Sequence, residues 1–207
     1  LAYTVSGNLN ILINSGEADK LFFGSEYSFY DVIEMHNRQS IKSFELKTKM
    51  RFRGVFKERD FISSNVIGMI EGSDPELKNT YLIISAHYDH LGLGESVKGD
   101  SIYNGALDNA LGVSVLLELA KSFSSLESKP KRSIIFIATT GEEKGLLGSI
   151  YYTDNPLVPL HKTIVNVNID GIAMFKDFSS IVGIGSEYST VDNYLQESAN
   201  NYKLEVQ

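Results

Sequence analysis

The sequence predicts an α/β fold, a mostly parallel mixed sheet with helices on both faces, preceded by a small α+β piece. Three observations carry this. Four short apolar runs of strand length lie between Asn65 and Asp170, and at least one clear helical pattern separates them. With 43% hydrophobic and 22% charged residues, the composition is that of an ordinary globular protein, and 207 residues suffice for one good-sized core.

In the first 60 residues, Ser25 or Ser28 is placed to cap a helix running to about Asn37, with Tyr30, Val32, Ile33 and His36 on its faces. Phe44, Leu46, Met50 and Phe52 then alternate with Glu45, Lys47, Lys49, Arg51 and Arg53, the period of a half-exposed strand with an antiparallel edge. From Asn65 the grammar changes. Val66–Ile70, Tyr81–Ala86, Ser133–Ala138 and Thr163–Ile169 read as strands, each ending in a polar or turn-like cluster. Between the second and third, Asp108–Ser124 reads as a helix whose Leu116, Leu119, Ala120 and Phe123 fall on one face. Further helices are expected after Gly145 and over about Thr190–Asn200.

Composition excludes several functions. A net charge of −7 with no basic block argues against nucleic acid or an anionic membrane as partner. With no cysteine, disulfides and thiolate chemistry are ruled out, and any metal site must use His and carboxylate ligands. No apolar run approaches the roughly 20 residues of a membrane span. The run Ile181–Ser189 lacks the third glycine of a dinucleotide fingerprint. The chain opens at Leu1 rather than Met, which reads as a processed or trimmed segment.

Open parallel sheets bind ligands beyond the carboxyl ends of their strands. Here those ends carry His87 and Asp89, then Glu142 and Glu143, then Asp170, while Asp108 opens the long helix. Taken singly, each has an ordinary explanation: adjacent glutamates are usually a solvated turn, and an aspartate at a helix start is usually a cap. Together they predict metal. Carboxylates so concentrated repel one another unless cations lie between them. One His with several carboxylates suits zinc and admits manganese or cobalt. In such a site one of the paired glutamates ligates and the other serves as general base.

At these residues the sequence resembles the zinc-dependent exopeptidases of clan MH, which include bacterial leucyl aminopeptidases, glutamate carboxypeptidase and glutaminyl cyclase. The matching segments are SAHYDHLG at Ser85–Gly92, NGALDNALGVSVLLELA at Asn104–Ala120, FIATTGEEKGLLGS at Phe136–Ser149 and NVNIDG at Asn166–Gly171. The resemblance implies a phosphorylase/hydrolase-like zinc peptidase core over residues 61–207 and hydrolysis of peptide substrates by a two-zinc-activated water. It implies that His87, Asp108, Glu143 and Asp170 ligate two zincs, with Asp108 bridging and its peptide to Asn109 a candidate cis bond. Asp89 would orient the His87 ring and Glu142 would be the general base. His90 lies within the motif but is no ligand by analogy, and His36 and His161 read as surface. The family's last ligand is a histidine further downstream, and no His follows His161, so the expectation is a core lacking one ligand and its last strands.

Residues 1–60 resemble the tail of a protease-associated domain. The family further suggests a secreted or periplasmic location. An aminopeptidase is the first functional expectation; a glutamate-type carboxypeptidase, a glutaminyl cyclase and a metal-free binding module on the same fold are the alternatives.

Overall fold

The computed structural model describes residues 12–51, 53, 61–171 and 178–207, which fall into two compact units with the boundary between Phe61 and Ile62. In the first unit, α1 (Ser15–Ala18) runs into a 3₁₀ turn at Asp19–Phe22, and α2 spans Phe29–Asn37. Ser28 starts α2 through a reciprocal cap. Its hydroxyl accepts the Asp31 N–H at 3.2 Å, and the Asp31 carboxylate accepts the Ser28 N–H at 2.8 Å.

The strand expected over Phe44–Phe52 does not form at residues 41–51 or 53; Phe52 lies outside the described residues. Alternation marks an apolar edge, but a strand also needs a partner ladder. Here the local groups are engaged otherwise. Phe44 packs its ring against Tyr27 and Phe22, with centroids 5.2 and 6.1 Å away, the Lys47 N–H donates to Ser25 Oγ at 3.0 Å, and the Thr48 hydroxyl donates to the Leu21 carbonyl.

The second unit holds the α/β core. Its strands are β1 (Val66–Ile70), β2 (Tyr81–His87), the hairpin β3 (Gly92–Val97) and β4 (Asp100–Tyr103), then β5 (Ser133–Thr139) and β6 (Thr163–Asn168). Helix α3 (Leu111–Ser124) precedes β5 and α4 (Leu147–Asp154) follows it. A last segment, β7 (Ser180–Ile181), α5 (Val191–Asn201) and β8 (Glu205–Val206), forms a small parallel pair with its crossover helix. The main sheet has the order β1-β5-β2-β6, with β2, β5 and β6 parallel and β1 antiparallel to β5. All four strands predicted from Asn65 onward are present, with ends shifted by a residue at most.

Strand β5 explains why the sheet is covered on both faces. Ser133 through Ile137 are all buried, and successive side chains point to opposite sides. Ile134 and Phe136 meet Ala86 and Leu116, with Val113, Leu119, Ala120 and Phe123 of α3 packed against them. Ile135 and Ile137 meet Ile83 and Tyr152 of α4 on the other face. Two layers of helix therefore fix the register in which β2 and β5 run side by side, Ala86 opposite Ala138 and His87 opposite Thr139.

Candidate metal centre

Because β2, β5 and β6 are parallel, their carboxyl ends open onto one edge, and the loops leaving them carry the polar residues. The helix start contributes from the side. Asp108 is no helix cap. It and Asn109 have non-helical backbones, at φ −119°, ψ 92° and φ −138°, ψ 38°, and the peptide joining them is cis. The capping role falls to Asn109, which is 1% exposed. Its Oδ1 accepts the Gly112 N–H at 3.0 Å and its Nδ2 donates to the Ile169 carbonyl at 2.9 Å. That arrangement leaves the Asp108 carboxylate free to face the strand ends.

His87 is 2% exposed, and its ring is oriented by the chain itself. A carbonyl can only accept, so the contact of 3.1 Å between Nδ1 and the Asp89 carbonyl places the ring hydrogen on Nδ1. Nε2 then points at carboxylate oxygens, 3.0 Å from Asp108 Oδ1 and 3.5 Å from Asp170 Oδ2. The Asp89 carboxylate has a different task from the one expected of it. Its Oδ1 lies 3.8 Å from the imidazole, beyond a hydrogen bond, and its two oxygens instead accept the N–H groups of Glu142 and Glu143 at 3.1 and 3.3 Å. Asp89 thus orients His87 through its backbone and holds the paired glutamates through its side chain.

The paired glutamates sit on a 3₁₀ turn, Glu142–Lys144. Gly141 enters that turn with φ +66°, a conformation that favours glycine, so β5 reverses sharply enough to aim both side chains over the sheet edge. Glu143 reaches His90, whose Nδ1 is 2.7 Å from Glu143 Oε1 and 4.0 Å from Asp108 Oδ2. His36 and His161 are exposed and take no part.

Two groups of side chains able to hold a cation result, His87 with Asp108 and Asp170, and His90 with Asp108 and Glu143; within each, the ligand atoms lie within 4.8 Å of one another. Divalent ions of the zinc type fit these residues. His87 Nε2, His90 Nδ1 and Glu143 Oε1 are buried polar atoms without a hydrogen-bond partner, an expensive arrangement unless a cation satisfies them. Glu142 belongs to neither group. The structure thus brings together His87, Asp108, Glu143 and Asp170, with Asp89 and Glu142 beside them. Sequence reasoning overlooked Asn109 and set His90 aside, although a second imidazole three residues after His87 in the same loop was a usable signal.

Residues 65–207, well over half of the chain, match the family model described as peptidase family M28. The chain belongs to peptidase family M28. Aminopeptidase NAALADL1 of Rattus norvegicus is 36% identical over 121 residues, which are 56% of this chain and 14% of that protein. Human transferrin receptor protein 2 is 34% identical over 119 residues, 55% of this chain and 13% of that one. A peptidase M28 precursor from Shewanella amazonensis shares the fold, with a TM-score of 0.52 at 24% identity over 69% of this chain and 29% of the other. This M28 chain therefore spans well under a fifth of the length of these two curated relatives.

The electrostatics of the centre predict opposite pH responses with and without metal. Burial disfavours the charged His87 ring, but the hydrogen bond to Asp89 and the carboxylates of Asp170, Glu142 and Asp108 outweigh it, raising its pKa above 6.5. Burial, and then the charges of Glu143, Asp170 and Asp89, raise Glu142 above 4.5 against the opposing pull of His87. A raised pKa means that the fold binds its proton more tightly than the unfolded chain does. That stability is complete below the unfolded value and is lost as pH rises through the folded one. Asp31, Glu71 and Asp74 have lowered pKa values, from hydrogen bonds to Ser28, to Lys78 and to the Leu77 and Glu76 amides respectively, and titrate below this window. Chelator-treated protein is therefore expected to melt at a lower temperature at pH 8 than at pH 5.5. Metal must displace the His87 proton, so the rise in Tm on adding zinc is expected to be larger at pH 8. An equal rise at both pH values would mean that His87 takes no part in metal binding.

Proposed function

We propose that this chain is the catalytic part of a zinc-dependent exopeptidase, an aminopeptidase that hydrolyses the first peptide bond of a substrate with a free amine. The observation that carries the reading is the pair of three-residue groups sharing Asp108, with Glu142 beside them and in neither. His87, Asp108 and Asp170 would hold one ion, and Asp108, Glu143 and further donors the other. When bound, the ions supply Lewis acidity that makes water more acidic and polarises the scissile carbonyl.

The remaining work falls to the chain's own side chains. Glu142 takes a proton from the attacking water and returns it to the departing amine, for which a carboxyl with a raised pKa is better matched to neutral pH than an ordinary one. The Asp89 carboxylate fixes where Glu142 stands by holding its N–H. Asp108 and Asp170 are half-exposed, which leaves a face of the centre open to substrate.

Three outcomes separate the readings. With zinc, an oligopeptide amidated at its C-terminus should be shortened from the N-terminus, an N-acetylated one should resist, and a chelator should stop the reaction. Cleavage of the acetylated peptide alone would favour a carboxypeptidase. No turnover together with no uptake of metal would favour the binding-module reading, to which the likeness to a receptor lends some support.

A further inference from the structure

We propose that Ser63, Tyr88 and Thr140 form a clasp that positions the turn bearing Glu142, acting on it through Thr140. The inference rests on the reading of Glu142 as general base and names what aims it. All three residues lie in the second unit. The segment that opens this unit, residues 62–65, has no regular structure, yet Ser63, Ser64 and Asn65 are each bonded to the loops of the metal centre.

Each hydroxyl has one hydrogen, and that fixes the direction of every contact. A carbonyl oxygen only accepts, so the Tyr88 hydroxyl directs its hydrogen to the Ser64 carbonyl, 2.8 Å away. Ser63 Oγ, 3.2 Å from Tyr88 Oη, is therefore the donor in that pair. With the Ser63 hydrogen engaged, the 2.6 Å contact between Ser63 Oγ and Thr140 Oγ1 has Thr140 donating. The hydroxyls form a single chain running from Thr140 through Ser63 and Tyr88 to the Ser64 carbonyl, and bonds so linked strengthen one another. The Thr140 backbone is held as well. Its N–H donates to Asn65 Oδ1 at 3.1 Å, and its carbonyl accepts the Gly148 N–H at 2.8 Å.

Thr140 immediately precedes Gly141, where the chain reverses at φ +66°. A glycine pivot has wide conformational freedom, so where Glu142 stands depends on both flanks of the pivot being fixed. Asp89 holds the downstream flank by accepting the Glu142 and Glu143 N–H groups. The clasp holds the upstream flank. Tyr88 and Asp89 are neighbours in the loop after His87, so one dipeptide grips the turn from both ends. The Tyr88 N–H adds a bond to the Thr139 carbonyl at 2.9 Å.

The competing role is local stability of the sheet end with no bearing on Glu142. Thr140→Val and Thr140→Ser separate the two, because valine keeps the branched shape without the hydroxyl and serine keeps the hydroxyl without the branch. The measurements are kcat and KM on the C-terminally amidated peptide, per zinc-loaded protein and well below Tm, and hydrogen–deuterium exchange of the Glu142–Lys144 amides. Misplacing a catalytic group by about 1 Å costs up to roughly 10²-fold, so Thr140→Val is expected to lower kcat by about 10–100-fold with KM little changed and with faster exchange of those amides. Thr140→Ser should stay near wild type in both. Tyr88→Phe cuts the same chain at its far end without opening the core, since Tyr88 is 44% exposed, and adding it to Thr140→Val should slow the enzyme no further. Unchanged exchange in Thr140→Val, unchanged kcat in it, or an equal loss in Thr140→Ser would overturn the clasp, whatever the Tm. If the wild type cleaved no peptide, the aminopeptidase reading would fail instead, and the exchange comparison alone would decide whether the clasp holds the turn.

Discussion

Glu142→Gln is expected to lower turnover by about 10²–10⁴-fold while leaving the metal content unchanged. The substitution is nearly isosteric, and the backbone at this position is held independently, because the Asp89 carboxylate accepts the residue's N–H at 3.1 Å. Glu142 is outside both groups that can hold a cation, so no ligand is lost. What is lost is the ability to take up and return a proton. Stability should move the other way: the Glu142 carboxyl has a pKa raised chiefly by burial, so its ionised form opposes folding at neutral pH, and a neutral amide relieves that. The metal-free variant should therefore melt at or above the wild-type temperature at pH 8. The relevant measurements are kcat on a peptide substrate, zinc content and Tm on one preparation. Undiminished kcat would assign the base elsewhere, and a lost ion would make Glu142 a ligand.

The convergence of these side chains was legible in the sequence because it follows from strand order. Apolar runs as uniform as Ser133–Ile137 belong to buried strands, and strands separated by a helix run parallel, so their carboxyl ends meet. Once those ends carry His87, Glu142, Glu143 and Asp170, their convergence follows. Less legible were the features set by contacts. The Phe44–Phe52 alternation matches a strand period, but no sequence pattern states whether a partner edge lies beside it. The segment Gly92–Tyr103, outside all the strands and helices read from the sequence, folds into the hairpin of β3 and β4, turning at Lys98 and Gly99, both in the left-handed region. Its mixed polar and apolar residues are mostly exposed, so no burial pattern announces it.

The division of labour around Asp108 and Asp89 was hidden for a related reason. A helix whose first residue is an aspartate is ordinarily capped by it, and only the backbone at 108 and 109 shows that Asn109 does the capping instead. Likewise an aspartate two residues after a histidine suggests a carboxylate–imidazole pair. In the structure the imidazole takes the backbone carbonyl, and the carboxylate serves the strand end more than 50 residues away in sequence. Both are choices among hydrogen-bond partners that only the three-dimensional arrangement decides.

Gly112→Ala should damage both the fold and the centre, because it acts where α3 meets the strand that delivers Asp170. A Cβ at residue 112 would lie 2.3 Å from Asn109 Oδ1 and 2.6 Å from the Ile169 carbonyl oxygen. Neither can withdraw easily. The Asn109 side chain is 1% exposed and bonded at both ends, and the carbonyl belongs to a backbone whose Ile169 N–H donates to the Ser85 carbonyl at 2.8 Å. Overpacking of this kind destabilises by about 1–3 kcal/mol, a fall in Tm of roughly 2–12 °C for a chain of this size. The displaced groups adjoin Asp108 on one side and Asp170 on the other, so zinc affinity should fall with stability even though residue 112 touches no ion. Gly68→Ala is the matched control, since nothing lies within 4 Å of a Cβ there, and it should change Tm little. If the two variants melted alike, with zinc affinity intact in both, the close approach of α3 to the Asp170 loop would not be what aligns these ligands.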